Sequence, residues 1–176
     1  EQAWHPGFFR TAHNDLFQGR LAAEFAAIQL GARTAATIHD GSNYAEELTW
    51  VFADVFTEIG GEIVMQHSIE EGSTDMQTAL EAIAEQEPQI LYFPVFEPEG
   101  SLIAQQAMAI EGLQNTVFVG SDGLLTTTFA PDTGSPAVGM YLSGPYVNNA
   151  ANNNLMRKWM DTYGEPPPSN FHAFAY

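Results

Sequence analysis

A chain of 176 residues that is 45% hydrophobic and free of cysteine is long enough to bury a core without a disulfide or a metal to staple it. It offers no thiolate for zinc or for nucleophilic attack. Against 22 acidic residues it sets only Arg10, Arg20, Arg33, Arg157 and Lys158, a formal charge of −17, so it lacks the positive field that nucleic acids and anionic membranes attract.

In chain order, Phe17, Leu21, Phe25 and Ile28 recur at spacings of four, four and three, which predicts a helix over Leu16 to Leu30 stopped by Gly31. Thr34 to Ile38 then reads as a short strand. Leu48, Val51, Phe52, Val55, Phe56 and Ile59 form the strongest helical stripe, started by Ser42-Asn43 and ended by Gly60-Gly61. Ile63-Val64-Met65 is a second strand, and Thr74 with Gln77 has the spacing of a capping box before Met76, Leu80 and Ile83. Ile90 to Phe93 is a third strand, leading to a helix that starts at Pro98 and reaches Gly112. Val117-Phe118-Val119 is a fourth, closed by Gly120-Ser121-Asp122-Gly123. Leu155, Trp159 and Tyr163 recur at a spacing of four within Asn154 to Gly164.

The strands are continuous apolar runs, so both faces of the sheet should be covered. Strand and helix alternate, so the expected fold is α/β, a doubly wound parallel sheet with helices on both faces. In such a sheet ligands bind beyond the carboxyl ends of the strands. That singles out His39 to Tyr44, Ser68 to Thr74, Pro94 to Glu99 and Ser121 to Leu125.

Several chemistries fail on spacing. No G-x-G-x-x-G or G-x-x-x-x-G-K-[ST] is present for a nucleotide, and no G-x-S-x-G elbow exists for a serine nucleophile. His5, His13, His39, His67 and His172 lack a ligand spacing, so neither a metal nor a cofactor is expected. Asp40 ends a strand, as a phosphoacceptor would, but Lys158 is the sole lysine. His39 reads as a strand-end side chain bonded to a neighbour. Tyr44 either starts a helix or offers its ring to a cation, and Asp122 either caps a turn or receives an ammonium. Phe96 is a loop aromatic or the wall of an apolar pocket. Glu97, Glu99 and Asp122 are carboxylates that spacing alone does not assign.

Arg10-Thr11-Ala12 with Asp15, Gln18 and Gly19, then Ile38-His39-Asp40 with Tyr44 and Leu48, resemble the start of the second lobe of a type I periplasmic binding protein. The leucine/isoleucine/valine receptors of ABC importers are the nearest group. Tyr92-Phe93 with Pro98-Glu99, Phe118-Val119-Gly120 with Asp122-Gly123, and Gly139-Met140 continue the same order.

The resemblance implies a second-lobe domain over residues 1–146 and a return segment over 147–176 belonging to an incomplete first lobe. It implies a receptor rather than an enzyme, located in the periplasm or outside the cell. Such a receptor carries a signal peptide and associates with the membrane through its importer or a lipid anchor. Its partners would be an amino acid, the importer's membrane subunits and the missing first lobe, with no nucleic acid. By the same resemblance Tyr44 and Asp122 hold the ligand's ammonium, Phe96 lines its side-chain pocket, and Glu97 and Gly123 complete the ligand-binding set. Pro94-Val95 stands where the family often has glycines, and Asp122 where it usually has glutamate, which leaves room for a bridging water or a different ligand.

A ligand-sensing lobe of a regulator or receptor, and a flavodoxin-like enzyme or signalling domain, use the same strand-end loops and stand as alternatives. The chain opens on Glu1 rather than methionine and stops at Tyr176 without a turn, so a piece of something longer is expected. The stripe of Leu155, Trp159 and Tyr163, stranded from its sheet, predicts self-association through the tail.

Overall fold

The computed structural model describes Gly7 and residues 13–145 and 150–167. Five parallel strands form one sheet in the order β2-β1-β3-β4-β5. They are β1 (Thr34–His39), β2 (Glu62–Ser68), β3 (Ile90–Tyr92), β4 (Val117–Gly120) and β5 (Tyr141–Leu142). Between them run α1 (Asp15–Glu24), α2 (Asn43–Glu58), α3 (Gln77–Ala84), α4 (Glu99–Ala107) and α5 (Phe129–Thr133), and α6 (Ala150–Tyr163) follows β5. The doubly wound α/β arrangement expected from the alternating elements is therefore the observed one.

Helices cover both faces. On one, the alanines of α1 and Leu48, Phe52 and Phe56 of α2 pack onto Ala35, Tyr92 and Val119 of the sheet. On the other, Leu80 and Ile83 of α3 and Ile103 of α4 pack onto Ile38, Leu91 and Phe93. β1 and β3 alternate between the two cores, which is why their sequences read as unbroken apolar runs. The chain reverses its winding between β1 and β3, since β2 lies on one side of this pair and β4 on the other. A crevice opens at such a reversal.

Three expectations are corrected. First, α1 does not run as one regular helix to Leu30, because Phe25–Gln29 is wound as a π-helix. Its apolar stripe is also not its buried face. Phe17 is 60% and Ile28 61% exposed, while Gly19, Ala22, Ala23, Ala26 and Ala27 are buried. Small residues win because α1 lies almost in contact with α2: a Cβ on Gly19 would sit 2.9 Å from Val51 Cβ and 3.0 Å from the Leu48 carbonyl oxygen. Large side chains cannot enter that seam.

Second, the Thr74–Gln77 capping box does not form. Met76 occupies the cap position without a side-chain bond. The Gln77 N–H goes instead to Asp75 Oδ1 at 2.9 Å, and the Thr74 carbonyl accepts from Gln106 Nε2 at 2.8 Å. Third, α4 ends at Ala107 rather than Gly112, the chain continuing in turns to Leu113. No helix among the described residues is long and apolar enough to cross a membrane.

Candidate functional site

Three loops meet beyond the carboxyl ends of β1, β3 and β4. The first is rigidified by its own side chains. The Gly41 N–H donates to His39 Nδ1 at 3.2 Å, the Ser42 N–H to Asp40 Oδ1 at 3.0 Å, and the Ala45 N–H to Ser42 Oγ at 3.2 Å, which caps α2. His39 and Asp40 thus shape the turn, and Tyr44, the second residue of α2, is delivered to the strand tips.

The second loop carries Phe96, whose ring centroid lies 5.1 Å from that of Tyr44 with the planes tilted by 32°. Phe96 is 43% exposed, so the aromatic pair has one wet edge. The third loop lies directly on the second. A Cβ on Gly123 would come within 2.9 Å of the Val95 carbonyl oxygen and 3.0 Å of Phe96 Cδ1. Only glycine permits that approach.

Asp122 opens a single 3-10 turn, Asp122–Leu124, and is 8% exposed. Its Oδ1 lies 2.7 Å from Tyr44 Oη and 2.8 Å from Gln18 Nε2. Tyr44 Oη is also 2.8 Å from Ser121 Oγ. A carboxylate can only accept, so the single phenol proton goes to Asp122 and the Ser121 hydroxyl donates to Tyr44. Burial and then the charge of Asp122 raise the Tyr44 phenol far above its usual range, keeping it a donor. Asp122 Oδ2 takes no hydrogen bond from any described residue. The cluster therefore presents one carboxylate oxygen, locked by donors on its twin, beside two aromatic rings.

Beneath it, the Tyr92 hydroxyl and that of Thr37, opposite it in the β1–β3 register, are buried without a partner among the described residues. Burial raises the Tyr92 phenol as well, with smaller contributions from Tyr44 and Asp122.

Of the five residues selected from the sequence, four come together: Tyr44, Phe96, Asp122 and Gly123. Glu97 points elsewhere. Its Oε1 accepts from the Thr126 hydroxyl and, at 3.1 Å, from Thr128 Oγ1, so it staples its loop to the segment before α5. Glu99, also considered, is buried at the start of α4 and accepts the Gly72 N–H at 2.6 Å. Gln18 and Ser121 join the cluster, though sequence reasoning gave neither a role. Among the described residues no group of three or more potential ligands is placed to hold a metal ion.

The chain matches the periplasmic binding protein family over residues 2–176. It is 28% identical over 170 residues to a Leu/Ile/Val-binding protein homolog of Brucella abortus, covering 95% of this chain and 45% of that protein. The chain thus spans about half the length of the curated relatives it matches. The fold superposes on a leucine-binding protein, LivK, of Thermotoga maritima with a TM-score of 0.84 and 24% identity, over 94% of this chain and 48% of the other. It also superposes on an ABC-transporter solute-binding protein of R. palustris in complex with benzoate, with a TM-score of 0.77 and 24% identity, over 91% and 44%. One of these structures is named for leucine and the other holds benzoate, at the same identity to this chain, so fold alone does not choose between the two ligands. What the comparisons do settle is that this chain belongs to the type I periplasmic binding proteins.

Proposed function

We propose that this chain is the ammonium-holding jaw of an extracytoplasmic receptor that captures an amino acid, branched-chain or similar, and delivers it to the membrane subunits of an ABC importer. On this reading residues 1–146 form the second lobe and 147–176 return to the first, which supplies the donors for the ligand's α-carboxylate. Closure of the two lobes around the ligand produces the state that the importer reads.

The observation that carries the reading is the Asp122 carboxylate. It is almost fully buried, fixed on one oxygen by Tyr44 and Gln18, and open on the other. A fixed anion in a place that closure would dry attracts a cation and repels a carboxylate. The neighbouring Tyr44 and Phe96 faces add cation–π attraction near the carboxylate and apolar wall beyond it. Benzoate has no donor for Asp122 to receive, and 4-hydroxybenzoate offers a neutral hydroxyl but no cation. The relatives' Leu/Ile/Val-binding names point the same way.

Thermal-shift screening of the two-lobe receptor against leucine, isoleucine, valine, phenylalanine, glutamine, benzoate and 4-hydroxybenzoate tests the reading. It predicts stabilisation by one or more of the amino acids and none by the benzoates. Stabilisation by a benzoate alone would replace the amino-acid assignment with an aromatic-acid one. Because half of the contacts would lie in the other lobe, the 176-residue chain alone should bind leucine at least about a hundredfold more weakly than the two-lobe receptor. Calorimetry on both proteins measures this, and equal affinities would contradict the split site.

A further inference from the structure

We infer that Gln18 is the positioning residue for the ligand-binding carboxylate, setting the preference for an ammonium-bearing ligand through the amide that holds Asp122 Oδ1. The inference rests on the reading above and goes beyond the residues that the family resemblance implies.

A carboxylate torsion is soft, so Asp122 needs donors from rigid elements if one oxygen is to be kept for a ligand. Tyr44 comes from α2. Gln18 comes from α1 and is 3% exposed; its position is fixed by the adjoining Gly19 seam against α2. The amide has only one orientation that satisfies all of its neighbours. Asp122 must accept, so Gln18 Nε2 donates to it at 2.8 Å, and the second amide hydrogen goes to Ser143 Oγ at 3.0 Å. The Ser143 hydroxyl then donates onward to the Gly120 carbonyl oxygen at 3.4 Å. Gln18 Oε1 is left facing His13, 2.7 Å away, so His13 carries its proton on Nε2 and donates it.

Each of these hydrogens has one direction, and one amide hydrogen of Gln18 ends on Asp122 Oδ1. Flipping the amide would set Oε1 against the carboxylate and Nε2 against His13. The side chain therefore acts as a fixed donor that is 104 positions from Asp122 in sequence and outside the loops where a ligand site is ordinarily sought. Losing a hydrogen bond to a charged group weakens the interaction that depends on it by about tenfold or more.

The test is calorimetry on the two-lobe receptor with leucine and its desamino analogue 4-methylpentanoate, for the wild type, Gln18→Met and, as a milder change outside the α1–α2 seam, Ser143→Ala. We expect Gln18→Met to lower leucine affinity about tenfold or more and to leave 4-methylpentanoate affinity within twofold, so that discrimination between the two collapses. Ser143→Ala should move the same ratio by two- to fivefold. In an Asp122→Ala background Gln18→Met should add nothing. An unchanged ratio in both single variants, or equal losses for both ligands, would overturn the positioning role while leaving the amino-acid reading intact. A wild type that binds no amino acid would overturn that reading and this inference with it.

Discussion

Two phenols sit close to one carboxylate, and this gives the folded state an alkaline limit. Tyr44 and Tyr92 both have phenols raised in the folded chain above the ordinary value of 10.0, by burial first. A raised value means that the folded state holds its proton more tightly than the unfolded state. The contribution is therefore constant below about pH 10 and is lost as pH climbs above it. Urea denaturation between pH 8 and pH 11 should show stability flat at first and falling steeply above pH 10, with a shallower fall in a Tyr44→Phe, Tyr92→Phe variant. A slope unchanged in that variant would mean that other groups set the limit.

At this scale the meeting of Tyr44, Phe96 and Asp122 was legible because they occupy strand-end loops of a recognisable pattern. Gln18 was not. A polar residue inside a helix carries no local sign of a partner 104 positions away, and only packing of α1 onto the sheet makes the pair. Glu97 misled for the opposite reason: it lies in the right loop, but Thr126 and Thr128 capture its carboxylate.

Among the elements, the α1–α2 seam is a close joint behind the site. Gly19→Ala places a methyl 2.9 Å from Val51 Cβ, so α1 must shift and carry Gln18 with it. The expected cost is about 1–3 kcal/mol, read as a lowered urea midpoint at unchanged slope; an unaltered midpoint would show that the seam has slack. Periodicity found this helix, but its apolar stripe is not the buried side that such a stripe normally marks. Here backbone proximity selects alanine and glycine and leaves Phe17 and Ile28 outside. α2, read from its Ser42-Asn43 start to a stop at Gly60-Gly61, runs over Asn43–Glu58 because its cap, its stripe and its packing all agree. The Thr74 box failed where they did not, as Asp75 took the Gln77 N–H and Glu81 the Gln77 side-chain amide.

On the whole molecule, strand alternation was sufficient to give four of the five strands and the parallel winding, because continuous apolar runs separated by helices have few parallel arrangements; β5, two residues long, has no such run. What it could not give was which apolar surface lies uncovered. Phe17 on α1, Ile28 on the π-helix that follows it, and Met160 and Tyr163 on α6 are exposed, together with a half-buried Trp159 whose ring lies 4.7 Å from that of Tyr163, tilted by 46°. The sequence reading assigned self-association to the α6 stripe. The 176-residue chain is accordingly expected to form dimers or larger species by light scattering, and a Trp159→Ser, Tyr163→Ser variant to be monomeric. A monodisperse wild-type monomer would contradict this, and association that survives the double variant would move the sticky surface to α1.

The account as a whole depends on a single buried anion at the strand tips, and the most direct measurement replaces it with a neutral side chain of the same shape. In the two-lobe receptor, Asp122→Asn keeps the size of the residue and its place beside Tyr44 while removing the charge proposed to receive an ammonium. Calorimetry should show leucine affinity falling about a hundredfold or more, in line with the loss of a desolvated charge pair. Leucine affinity within twofold of wild type would contradict the claim that Asp122 holds the ligand.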